Sequence, residues 1–137
     1  MMDFIKSIAI AASGMRAQAG RMRVISENIA NADSTAQTPG GDPYRRRIVT
    51  FHDDFDRELG AQVVTVGRVA TDSSAFPVRH EPDNPMADGK GDVKYPNVNS
   101  LVEMTDLRDA QQSYQANLNV VTSTRRMLQR TIDILKT

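Results

Sequence analysis

Residues 100–135 read SLVEMTDLRDAQQSYQANLNVVTSTRRMLQRTIDIL, with neither Gly nor Pro. Within this stretch Met104, Leu107, Gln111, Tyr114, Leu118, Val121, Arg125, Leu128, Ile132 and Leu135 recur at alternating intervals of three and four. That alternation is the seam spacing of a coiled coil, narrower than the apolar stripe of an ordinary surface helix. A long C-terminal helix is predicted, made to lie against another helix. Its start carries Ser100 and Glu103 at capping-box spacing, with Asn97 and Asn99 as alternative caps. Gln111 and Arg125 are polar seam positions, which fix register or face solvent on a half-covered helix.

The same spacing recurs at the other end of the chain. Phe4, Ile8, Ala11, Met15, Gln18, Met22, Ile25 and Ile29 mark a second helix over residues 3 to about 31. Ala is frequent there and favours helix. Gly14 and Gly20 each cost about 1 kcal/mol relative to Ala. They read as a loosely stable helix or as points of close approach by a neighbour. Asn28, Asn31, Asp33 and Ser34 end the element by competing for backbone hydrogen bonds.

Between the helices the pattern changes. Residues 35–43, TAQTPGGDP, carry strong turn chemistry. Strands are predicted over Arg45–Phe51, Gln62–Val69 and Phe76–Arg79, forming a hairpin or a three-stranded antiparallel unit. So small a sheet needs a surface to pack on. Residues 81–97 read as irregular. The fold class expected is mainly α with a small β-rich insertion: two long terminal helices in a coiled-coil-like pair around an irregular, β-containing middle. The predicted segments are 1–33 (N-terminal helical assembly), 34–97 (loops and small sheet) and 98–137 (C-terminal helical assembly).

Composition narrows function. The chain has 137 residues, 39% of them hydrophobic and only 5% aromatic, with no Trp. Scarce rings argue against a dense globular centre, and seven Met residues suit adaptable helix contacts. Seventeen basic residues balance 17 acidic ones. No bulk charge favours nucleic acid or an anionic membrane. The absence of Cys excludes disulfides and thiolate chemistry. No apolar run is long enough to span a bilayer, and no cleavable secretory signal is expected.

Catalytic motifs do not emerge. His52 with Asp53, Asp54 and Asp56 lacks recognisable zinc-ligand spacing and reads as a solvated acidic turn after a strand. The stretch around Asp88-Gly89 fails as a calcium loop, because Met86 and Tyr95 fall where carboxylates belong. Gly89-Lys90-Gly91 lacks the Ser or Thr of a phosphate loop. Arg45-Arg46-Arg47 reads as a grip for an acidic partner or as a solvated strand edge. No enzyme activity, cofactor, metal, nucleic acid or small-molecule substrate is expected.

The motifs resemble a known family. Ser13-Gly14-Met15, Gln18 and Ser26-Glu27-Asn28-Ile29-Ala30-Asn31-Ala32-Asp33-Ser34 are similar to the N-terminal signature of bacterial flagellar rod and hook proteins. Pro43-Tyr44-Arg45-Arg46, Glu81 to Asp88 and Gly91 to Val98, including Tyr95-Pro96-Asn97-Val98, resemble the segments that follow in proximal-rod members. The run from Glu103-Met104 through Ser113-Tyr114-Gln115-Ala116-Asn117 to Met127-Leu128 resembles the C-terminal signature. The family commonly carries an aromatic residue where this chain has Asp92, which removes apolar packing there.

The resemblance implies a structural subunit of the flagellar basal-body rod, exported without a cleaved signal and assembled in the periplasm. Its terminal helices would build an axial tube that transmits torque and conducts exported subunits. Expected partners are other rod subunits, the basal-body adaptor, membrane-ring proteins and the type III export apparatus. The expected assembly interface comprises Phe4, Ile8, Met15, Met22, Ile25, Ile29, Met104, Leu107, Tyr114, Leu118, Val121, Leu128, Ile132 and Leu135. Gln111 and Arg125 are candidate register or lumen-facing positions. A soluble coiled-coil binding module or export adaptor is the competing reading; it explains the seams but not the loop motifs.

Overall fold

The computed structural model of the chain describes residues 1–136. Helix α1 spans Met2–Ala30 and helix α2 spans Ser100–Leu135. Four strands lie between them: β1 Arg47–Asp56, β2 Ala61–Thr71, β3 Val78–His80 and β4 Asp92–Lys94. They form two separate two-stranded sheets, β1–β2 and β3–β4. The predicted class, terminal helices around a small β middle, is the architecture found.

Three details differ from the sequence expectation. β1 continues through Asp56, so His52 and its neighbouring Asp residues lie in an exposed strand rather than in a turn after one. The third strand pairs not with the hairpin but with β4, from the stretch read as irregular, in the register Val78↔Lys94, Arg79↔Val93 and His80↔Asp92. β4 was illegible because three residues give no periodicity, and Val93 is its one buried side chain. The cap of α2 is Asn99, not Ser100. Its Oδ1 accepts the backbone N–H groups of Leu101 and Val102, while the Glu103 carboxylate is engaged elsewhere.

The chain divides into two compact units that cut across the elements. One comprises Met1–Met22, Thr50–Arg68 and Arg108–Thr137; the other comprises Arg23–Val49 and Val69–Leu107. In the first unit close approach replaces bulk. A Cβ added to Gly14 would lie 2.8 Å from Asn117 Nδ2 on α2, and one added to Gly20 would lie 3.3 Å from Val66 Cγ2 on β2. Both glycines are therefore packing positions, and the cost to the helix is offset by contact. Ser13, just before Gly14, donates its hydroxyl to Ile10 O and accepts the N–H of Val64. The hairpin thus finds on α1 the surface that it needs. Gly67 faces the imidazole of His52 and the hydroxyl of Thr50 so closely that a Cβ has no room with those side chains in place.

In the second unit the small β3–β4 sheet is closed by polar side chains. Asp88 Oδ1 accepts the N–H groups of Lys90 and Asp92, and Asn84 Oδ1 accepts that of Met86. Gly91, at φ 84°, makes the left-handed turn that returns the chain into β4. Asp92 meets His80 Nδ1 at 2.9 Å.

Candidate assembly site

The positions that α2 buries within the chain follow an alternation of four and three: Glu103, Leu107, Ala110, Tyr114, Asn117, Val121, Thr124 and Leu128. Glu103, Ala110 and Thr124 are fully buried and the others partly so. Half of this stripe matches the seam read from sequence. The other half is displaced by one residue, from Met104, Gln111, Leu118 and Arg125 to Glu103, Ala110, Asn117 and Thr124. The physical reason is separation. Helices that approach as closely as Gly14 and Asn117 do need small or short polar residues, whereas a search for bulky apolar side chains selects their neighbours.

The displaced residues face outward. Met104 is 56% exposed, and Gln111, Leu118 and Arg125 are exposed. Leu135 is 76% exposed and Ile132 half-buried. On α1, Ile25 is buried, while Phe4, Ile8, Met15, Met22 and Ile29 are half-buried. Further large apolar side chains lie exposed on the helices: Met2, Ile5, Ile10, Leu101, Val120 and Met127. In the first unit an open recess of about 270 Å³ is lined by Ala12, Met15, Arg16, Ala19 and Tyr114.

Of the motif residues, Asn28 and Pro96 are buried. Ile29, Asn31, Tyr95, Asn97, Val98, Tyr114 and Asn117 are half-buried, and Ala30 and Ala116 are exposed. The second unit brings several of them together. Asn28 Oδ1 accepts the Arg47 N–H at 3.0 Å, and its Nδ2 donates to Arg47 O at 2.9 Å and to Glu103 Oε2 at 3.0 Å. The Tyr44 hydroxyl also donates to Asn28 Oδ1. Burial, ahead of the neighbouring charges, raises the Tyr44 pKa above its ordinary value. Arg46 Nε donates to Glu103 Oε1, and its guanidinium reaches Asp72 at 3.5 Å and Asp106 at 3.6 Å. Asn97 Oδ1 accepts the Arg46 N–H, and its Nδ2 donates to Asp72 O and Ser74 O.

This polar junction was not legible in advance. The three consecutive arginines all find partners within the chain, although the Arg47 side chain stays half exposed. Arg45 donates to Asp72 O and Ser74 O and stacks 4.1 Å from the Phe76 ring centroid. Arg46 enters the junction, and Arg47 pairs with Glu27 at 3.3 Å. A triple basic run beside Tyr44, with Glu103 read as half of a capping box, was the only sequence signal available. Among the described residues no His, Asp and Glu group is placed to hold a metal ion. No helix among them is long and apolar enough to cross a membrane.

Comparison with known proteins decides the family. The family described as "Flagella basal body rod protein" matches residues 8–36, and that described as "Flagellar basal body rod FlgEFG protein C-terminal" matches residues 90–134. The flagellar basal-body rod protein FlgC of Agrobacterium fabrum is 50% identical over 127 residues, covering 93% of this chain and 91% of the relative. The chain belongs to the FlgC family. FlgC of Salmonella typhimurium is 36% identical over 133 residues, with 97% of this chain and 98% of the relative covered. FlgC of Bacillus subtilis is 35% identical over 150 residues, with 98% and 100% covered. The two family matches coincide with most of α1 and with nearly all of α2. The two rod-family matches thus fall chiefly on the elements that leave apolar side chains exposed.

Proposed function

We propose that this protein is a structural subunit of the flagellar basal-body rod and assembles through the outward faces of α1 and α2. The observation that carries this reading is the number of large apolar side chains that both helices leave exposed, in a chain related along nearly its whole length to FlgC proteins. Exposed apolar surface of this extent marks interaction sites. Met104, Leu118 and Leu135 of the expected interface are exposed for neighbouring subunits, while Leu107, Tyr114, Val121 and Leu128 are half-buried within the chain. The recess beside Tyr114 suits an apolar side chain from a neighbour.

The neighbours would be other rod subunits, with the basal-body adaptor and membrane-ring proteins at the base. The subunit would reach the periplasm through the flagellar type III apparatus without a cleaved signal. Its role is structural rather than enzymatic: the tube transmits torque and leaves a channel for exported subunits.

The test is Leu118→Asp, assayed by swimming and by electron microscopy of isolated basal bodies. Leu118 is exposed in the free chain, so the fold survives substitution, which circular dichroism checks. Burial of an unpaired carboxylate at a subunit interface is costly, and the expected result is loss of swimming and of axial structure beyond the base. Normal swimming would overturn the assignment of this face to assembly.

A further inference from the structure

We infer that the Asn28–Glu103–Arg46 junction is a register latch, which fixes how α1 and α2 pair. The apolar seam cannot do this alone. In the first unit the buried positions on both helices are small: Ala11, Ser13 and Ala17 on α1, and Ala110 and Thr124 on α2. The larger residues that alternate with them on α2, Tyr114, Val121 and Leu128, are only half-buried, so the area by which they oppose a slip is limited. Glu103 differs. It is 1% exposed, and its two carboxylate oxygens are divided between Asn28 Nδ2 on α1 and Arg46 Nε at the entry to β1.

A slip of one turn would carry that carboxylate away from both donors while keeping it out of water. A buried charge without partners is severely destabilising, and the best-attested use of such groups is to specify register. Asn28 closes the latch from the other side. Its amide is fully used by Glu103, Tyr44 and both backbone groups of Arg47, so it cannot move without breaking four hydrogen bonds. Met104, the next residue, is exposed and imposes no register.

The chain has no Cys, so disulfide mapping of the full-length protein is clean. Gly14→Cys is combined in turn with Asn117→Cys, Ser113→Cys and Val121→Cys, which report the observed register and slips of one turn in either direction. In the otherwise unchanged chain the 14–117 product should exceed either slipped product by at least about tenfold, the ratio that 1.4 kcal/mol of preference gives. In the apolar replacement Asn28→Leu/Arg46→Met/Glu103→Leu, helix content should persist while the three products become comparable. A folded replacement that still yields only the 14–117 product overturns the latch. Should that variant not fold, Asn28→Ala decides, because it removes the α1 side and leaves the Arg46–Glu103 pair intact. Slipped products in Asn28→Ala are expected, and a single 14–117 product there overturns the inference.

Discussion

Glu103 stands where a helix N-terminus ordinarily places an exposed acid, yet its side chain is buried and held by two donors. Removing one member of such a pair costs more than the pair itself contributes, because the other is left desolvated. Arg46→Ala should therefore lower unfolding stability by about 3 kcal/mol, measured by urea titration of the purified chain. A loss under about 1 kcal/mol would show that water replaces the guanidinium, as at an exposed pair. Three carboxylates in the loops sense acid. Asp72 is held below its ordinary value of 3.8 by the Ser74 N–H and hydroxyl, with Arg46 contributing. Glu81 is held below 4.5 by Asn84 and Tyr95, and Asp88 below 3.8 by the N–H groups of Asp92 and Lys90. A depressed folded-state pKa stabilises above the unfolded value, and that contribution is lost as pH falls through the folded value. Stability should thus be flat from neutral pH to about pH 5 and fall below about pH 4, with Asp72→Asn flattening part of the fall. An unchanged urea midpoint at pH 3 would contradict this.

At the scale of elements, caps and seams behave differently as signals. The start of α2 rests on Asn99, whose side chain accepts two N–H groups of the first turn. Asn99→Ala should cost about 1 kcal/mol, seen as a lower urea midpoint, whereas Ser100→Ala should change little because Ser100 is not the cap. The helices themselves were legible, since long stretches with regular apolar spacing leave little alternative. Their contact face was legible only at every second position. Leu107, Tyr114, Val121 and Leu128 announce themselves by bulk, but Asn117 is set by the closeness of α1 at Gly14, which a single helix does not encode, and Ala110 and Thr124 are too small to stand out. β1 and β2 were found through their β-branched residues, and β4 was missed because its pairing depends on a turn built by Asp88 and Gly91. The polar junction was invisible for a related reason. Its members lie up to 75 residues apart, and no local pattern joins Asn28 to Glu103.

Across the whole molecule, apolar burial and polar locking are distributed unequally. The unit with Arg23–Val49 and Val69–Leu107 holds the latch and the self-satisfied loop turns. The unit with Met1–Met22 and Arg108–Thr137 buries mostly small side chains and leaves Met2, Ile5, Val120 and Met127 exposed. Hydrogen exchange on dilute monomer should therefore show α1 before Met22 and α2 beyond Arg108 opening more readily than the segments around the junction. Equal protection along all of α2 would contradict this. Arg46 O accepts the N–H of Asp72 on the β2 side, so the backbone groups of Arg47 point to the opposite, outer margin of β1. Asn28 occupies both of them. An amide side chain thus stands where a foreign strand would begin to pair, and cross-β stacking is blunted at that margin.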